Sequence, residues 1–506
     1  LPSFDQQETP LVRALKACVN RVHAPFYTPG HKRGQGAPER LKALLGSQMW
    51  RVDLPELPDL DNLFAPQAAI QQAQELAAEA FGADRTWFLV NGSTSGVIAA
   101  ILATCSPGDK IILPRNCHQS VISGLVLSGA VPVFVNPAYD PQLDLAHSLT
   151  PSAVAAALQR HPDAKAMMLV YPTYYGVCGD IAAIAHLAHQ HGIPLLVDEA
   201  HGPHFAFHAD LPLAALAAGA DLVVQSTHKV LSALTQAAMV HLQGDRIEPE
   251  RVSKALQLVQ SSSPSYLLLA SLDAARWQMA TQGQTLLERT LTLADQARSQ
   301  LSQIADLSVL GPEQAGSPGF LALDRTRLTV TVSGLGLDGF TADQILHTEL
   351  GVTAELPSLQ HLTFVISLGN TAEDIDQLVK AFQQLAERFR GGQWSAVSGQ
   401  RSAVSGQQSA VSGQHPADAC NDSMPILAIS PQQAFFATTE TVAVQQAVNR
   451  ISAELICPYP PGIPTLMPGE VVTEAAIATL QTVLAAGGQI TGCSDPSLQH
   501  LRVIRQ

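Results

Sequence analysis

Cysteine is scarce and scattered: the 506-residue chain has 7, at positions 18, 105, 117, 178, 420, 457 and 493, and no two form a C-x-x-C pair. That distribution speaks against a disulfide framework and against a zinc ribbon, and no metal is expected. Charged residues are also few, 14% against a usual share of about 25%, so a generally disordered chain is not expected. No apolar run reaches the roughly 18 residues of a membrane span. The start, LPSFDQQETP, lacks the basic-then-apolar pattern of a secretory leader. Positive charge is in deficit, with a net charge of −14, which disfavours nucleic acid as the main partner. A soluble protein of a reducing, cytoplasmic compartment is the expectation, with no membrane partner.

What is present is length and apolar content. Hydrophobic residues make up 46% of the chain, and its length suggests about three domains. Residues 395–415 read SAVSGQR, SAVSGQQ, SAVSGQH, a heptad in three copies. Each copy has one Val and no paired apolar positions, so it cannot form a coiled-coil seam. Its Ser, Gly and Gln are linker chemistry. The expected organisation is an N-terminal arm (1–50), a large domain (51–275), a smaller α+β domain (276–392), a linker (393–416) and a C-terminal α+β domain (417–506).

Short runs at 86–90, 110–114, 131–135, 166–172, 194–200, 221–227 and 237–243 are rich in Val, Ile, Leu, Ala and Met. Helical stretches such as 181–191 and 212–218 lie between several of them. That alternation predicts an α/β fold with a mostly parallel, seven-stranded sheet flanked by helices. In the smaller domain, helices are predicted at 275–305, 341–350 and 372–389 and strands at 328–333 and 364–368. Ligands of parallel sheets gather beyond the carboxyl ends of the strands, so the polar residues there carry the chemistry.

Four such ends stand out. The first strand runs into Asn91, Gly92, Ser93, Thr94 and Ser95 before an apolar helix, an arrangement that can cradle an anion or simply cap the helix. The second runs into His118, able to stack on a flat ligand or to sit as a satisfied histidine. The fifth carries Asp198, a carboxylate in an apolar run that needs a cation or several donors; an internal salt bridge is the alternative. The sixth leads to Ser226, His228 and Lys229, whose amine can be relieved of its charge as a Schiff base or can snorkel to solvent. An anion cradle, a stacking ring, a buried carboxylate and a buried amine are together what pyridoxal 5'-phosphate (PLP) requires.

The stretches FYTPGHKRG (26–34), FLVNGSTSG (88–96), PRNCHQSV (114–121), VDEAHGPHFAFH (197–208), QSTHK (225–229) and SSSPSYLLLASLD (261–273) resemble the Orn/Lys/Arg decarboxylase family, PLP enzymes of the aminotransferase-like fold. ISAELICPYPPGIPTLMPGE (451–470) is similar to that family's C-terminal domain. The resemblance implies that Lys229 holds the cofactor, Asp198 pairs with its ring nitrogen and His118 stacks on the ring. Ser93, Thr94, Ser95, Ser226 and His228 would hold its phosphate, and His201 would approach its phenolic oxygen. It further implies decarboxylation of arginine, lysine or ornithine to the corresponding amine and CO2. Glu355 would sit near a cationic substrate, and His31, on the FYTPGHK arm, would reach the site of a neighbouring subunit in a dimer or larger homo-oligomer with shared active sites. Asp53, Glu56, Asp59 and Asp61 could attract a cationic substrate or form a solvated loop. An aminotransferase or lyase of the same fold, or an inactive regulatory relative, are the alternatives.

Overall fold

The structure, a computed structural model, describes residues 5–389, 426–459 and 461–505. The heptad repeats, the expected linker 393–416 and Cys420 lie outside the described residues. Seven short, apolar strands build the central sheet: β1 (Arg85–Leu89), β2 (Lys110–Pro114), β3 (Val131–Val135), β4 (Ala166–Val170), β5 (Leu195–Asp198), β6 (Leu222–Gln225) and β7 (Ala238–Leu242). Their order is β1-β7-β6-β5-β4-β2-β3, and β7 alone runs antiparallel to its neighbours. The mostly parallel seven-stranded sheet is therefore as predicted.

Both faces of the sheet are covered, which is why the strands are apolar on both sides. Leu195, Val197 and Val223 face one core, together with α1 (Pro10–Asn20), Glu39–Val52 as α2 at its rim, α3 (Ala69–Phe81) and the long helix that follows the sheet. Leu196, Leu222 and Val224 face the other core, under α4 (Gly92–Thr104) and α5 (Gln119–Ser128). Strand alternation puts Asp198 on the side of Leu196, the side that α4 covers. Gly96 lets α4 lie close: a Cβ there would meet Val224 and Leu89 side chains at 2.7 and 2.8 Å.

The long helix spans Tyr266–Leu301 and carries the chain into a second body. There a four-stranded antiparallel sheet, with Arg327–Thr331 at its centre beside His361–Val365, packs with Gly339–Glu349 and Ala372–Phe389 around its own core. The C-terminal residues form a third core around Ile456, Leu480 and Val503.

Two local expectations are corrected. No helix forms over 212–218: residues 212–214 have no regular element and 215–219 are turns, with the Ala215 N–H held by the Glu199 carboxylate at 2.8 Å. The first fifty residues are more than an arm, since α1 buries Leu11, Leu15 and Cys18 in the main core. Glu355 lies in a bend just before the short strand Leu356–Pro357 and is exposed.

The C-terminal body is held onto the end of β2 by Arg115. Its guanidinium donates to the carbonyls of Pro464 (2.7 Å) and Thr465 (3.2 Å) and pairs with the buried Glu470 carboxylate at 3.3 Å. Beside it, the Gln119 N–H donates to the Gly462 carbonyl at 3.1 Å. Arg115→Met would leave Glu470 buried without its cation, a loss of about 3–5 kcal/mol. The expected result is faster hydrogen exchange across 456–470, measured by mass spectrometry, with the exchange of β4 and β5 unchanged.

Candidate active site

The strand ends converge on one cleft of about 470 Å³, lined by Ser93, Thr94, His118, Tyr174, His201, Ser226, His228, Lys229, Arg327, Glu355, Tyr459 and Pro461 among others. A narrower recess at its floor adds Asp198 and Ala200. Each position follows from the topology. The turn after β1 starts α4 at Gly92, so Ser93 and Thr94 sit in the first helical turn, beside free backbone N–H groups and the positive end of the helix dipole. Strand β6 stops at Gln225, and the single turn Thr227–Val230 carries Lys229. The lysine thus comes from a one-turn helix after the strand and not from the strand itself. The Ser226 hydroxyl donates to that of Ser93 at 2.6 Å and ties the two loops together.

Asp198 is 6% exposed and accepts the Ala200 N–H at 3.2 Å. Burial raises its pKa, and the positive charge available at Lys229 pulls it back. Burial lowers the pKa of Lys229, with Asp198 opposing that shift and Arg327 adding to it. Each group is thus the other's main electrostatic support. The His118 ring caps α5: its Nδ1 accepts the Ser120 N–H at 3.2 Å and lies 2.9 Å from the Ser120 hydroxyl. Burial and the nearby Lys229 push its pKa down to about 4, so at neutral pH it is an uncharged ring. His201 lies between Lys229 and Arg327. Its Nε2 is 3.0 Å from Lys229 Nζ, and its Nδ1 is 3.0 Å from Arg327 Nη2.

Some expected residues are elsewhere. The Ser95 hydroxyl donates to the Gly92 carbonyl at 2.8 Å, inside its own helical turn, and Ser95 is absent from the cleft lining. His31 packs edge-on to Trp50 and its Nε2 lies 3.1 Å from Asp53, so within one chain it is not part of the cleft. The acidic cluster serves local structure. Asp59 pairs with Arg21, Glu56 accepts from Asn62 and the Leu63 N–H, and Asp61 accepts the N–H groups of Gln67, Ala68 and Ile70 at the start of α3. The structure also supplies residues that sequence reasoning did not assign. Arg327 is buried against His201, whereas its neighbour Arg325 turns away to Asp295. Tyr174 follows β4, and Tyr459 arrives from the C-terminal body. An arginine opening an otherwise apolar, alternating strand was the available signal for Arg327.

PLP fits this set on the molecule's own terms: a buried carboxylate with one backbone donor opens on the cleft, facing a half-buried amine, with hydroxyls and a helix N-terminus at one side. The family model described as Orn/Lys/Arg decarboxylase, major domain, matches residues 9–374, and that for the C-terminal domain matches 415–493. The chain is 40% identical to an arginine decarboxylase of Bacillus subtilis over 503 residues, 99% of each chain. It is 39% identical to an arginine decarboxylase of Halalkalibacterium halodurans, covering 99% of this chain and 98% of that one. Among solved structures, lysine decarboxylase A from Pseudomonas aeruginosa superposes with a TM-score of 0.83 at 23% identity, over 98% of this chain and 80% of that one. Enzymes of this family depend on PLP. The chain belongs to the Orn/Lys/Arg decarboxylase family, and its activity is the decarboxylation of a basic amino acid.

Proposed function

We propose that the substrate is arginine, released as agmatine and CO2, and that PLP is held by Lys229. The observation that carries the reading is the placement of Lys229 and Asp198 in one recess at the floor of the cleft; the likeness to arginine decarboxylases over the whole chain supports the choice of substrate. Lys229 would carry the cofactor on its amine. Asp198 would hold a proton on the ring nitrogen, His118 would pack on the ring, and Ser93, Thr94, Ser226, His228 and the N-terminus of α4 would receive the phosphate. Ser95 supports that loop from within. PLP, when bound, supplies an electron sink for the pair left behind by departing CO2.

The protein's own contribution is to position and to exclude water. A carboxylate in a desolvated recess interacts strongly with a cation placed above it and needs no reorganisation as charge shifts. The uncharged His118 adds a flat surface without competing for that carboxylate. Among the described residues lining the cleft the carboxylates are Asp198 and Glu355. Glu355, exposed at the small-domain rim, is free to meet a guanidinium. Arg327 in the cleft is the feature an aminotransferase would use on the substrate carboxylate, but its guanidinium is already engaged by His201.

The division into arm, large domain, small domain, linker and C-terminal domain belongs to the same proposal, supported by the separate cores. So does a homo-oligomer with shared sites. Val22 and Phe26, on the segment that leads to His31, are 100% and 94% exposed, which suits a segment that packs on a second copy. Phe26→Asp is expected to shift the assembly to a smaller mass in light scattering and to weaken activity; an unchanged mass would count against a shared interface there.

Purified chain with PLP, offered arginine, lysine and ornithine in turn, should give agmatine and CO2 with kcat/KM for arginine at least about tenfold above the others. One methylene or a lost bidentate contact is worth that much. Lys229→Ala should abolish the visible band near about 420 nm and lower kcat on the order of 10⁴-fold or more, as loss of a covalent nucleophile does. Release of CO2 from none of the three substrates would end this reading.

A further inference from the structure

Two hydrogen bonds to one imidazole decide its proton. Arg327 Nη2 donates to His201 Nδ1 at 3.0 Å and to the His201 carbonyl at 3.1 Å. A guanidinium has only donors and does not give up its protons in a protein, so Nδ1 must be the bare, accepting nitrogen. His201 is 8% exposed, and the titratable groups around it are Lys229 and His228 on the one-turn helix, His118 before α5 and Arg327 from the small domain. Tyr174 meets its ring edge-on at 5.3 Å, and Asp198 lines the same recess. Burial, the largest cause, holds its pKa well below the ordinary range, and the fixed charge of Arg327 acts in the same direction. It is therefore neutral, and its single proton is on Nε2. That Nε2 is 3.0 Å from Lys229 Nζ. An N–H aimed at an amine nitrogen is a hydrogen bond only if the amine offers a lone pair, that is, if it is not an ammonium.

We propose that Arg327 is a positioning residue that fixes His201 as the Nε2–H tautomer and through it holds Lys229 as a neutral amine. A neutral amine is the form able to add to a carbonyl. The small domain thus sets the protonation of the large domain's lysine through one imidazole. The arrangement also gives the large and small bodies a polar contact at the cleft itself, so that their relative position and the readiness of the lysine are linked.

The inference rests on Lys229 being the reactive amine, but its test needs no cofactor. Full-length chain freed of PLP is methylated with formaldehyde and cyanoborohydride across a pH range. The modified Lys229 peptide is quantified by mass spectrometry, with Lys254, whose side chain is 76% exposed, as the internal reference. Only neutral amines react, so a lowered pKa moves the Lys229 midpoint to lower pH. Lys229 should reach half-reaction at least about one pH unit below Lys254. Arg327→Met should move that midpoint upward by about one unit, and Arg327→Lys, which keeps a donor but not the fork, by less. His201→Phe alone should move it upward, and Arg327→Met added to His201→Phe should then move it little further. A shift of the same size in the His201→Phe background would mean that Arg327 acts on Lys229 directly by its charge, and the proposal would fall. Equal midpoints for wild type and Arg327→Lys, together with no shift in His201→Phe, would also overturn it. Whether PLP attaches to Lys229 is read separately, from the visible band, so failure of the cofactor reading and failure of this inference are distinct results.

Discussion

An amine and a carboxylate are kept out of water together at the carboxyl ends of β5 and β6. Burial pushes Asp198 toward its neutral acid and Lys229 toward its neutral base, and a charge on either would favour the charge on the other. The parallel sheet makes this possible. Strands β4, β5 and β6 end level with one another, with Val170 opposite Asp198 and Asp198 opposite Val224, so the groups just beyond them share one recess. A sheet with more reversals would scatter the same residues to opposite edges.

The rest of the molecule holds that recess closed on three sides. The large domain supplies the floor and the anion-receiving turn of α4, and the small domain supplies Arg327 and Glu355. The C-terminal body adds Tyr459 and Pro461 and sets Gly462 against His118, where a Cβ would lie 3.4 Å from Nε2. Arg115, buried between Glu470 and two carbonyls, makes that last wall part of the site. A buried ion pair of this kind adds little net stability compared with an apolar contact of the same size. What it adds is register: it fixes which residues of the C-terminal body stand over the cleft.

Much of this was legible in the sequence because it depends on local patterning. All seven strands coincide with the apolar runs to within two residues at most ends, and the helix Ala372–Phe389 was read to its limits. Lys229, Asp198 and His118 could be found because a polar residue next to a buried strand is an anomaly that needs a reason. The misses share a different cause. The run 212–218 had helix-forming residues, but in the fold it closes as turns, with the Ala215 N–H held by Glu199. The acidic cluster looked like a lure for cations, yet each carboxylate is spent on a partner brought to it by the fold, up to 38 positions away. Ser95 carries the right hydroxyl and turns it inward by one hydrogen bond. Such outcomes depend on which groups meet in space, and no periodicity encodes them.

Arg327 shows the same limit at the point where it matters most. In the sequence it is one of two arginines three residues past Asp324 or closer, with nothing to separate them. In the fold, Arg325 sits in the turn before the strand and pairs with Asp295, whereas Arg327, the first residue of the strand, is buried against His201. The small domain's sheet therefore does for the lysine what the parallel sheet does for the carboxylate: it delivers one charged group to one atom. If both charges near Lys229 were positive the amine would stay neutral but nothing would orient a cofactor beneath it, and if both were negative it would be held as an ammonium. Burial lowers the pKa of Lys229, Arg327 behind the imidazole adds to that shift, and Asp198 and Glu355 oppose it; the imidazole proton then decides in favour of the neutral amine and leaves the carboxylate available.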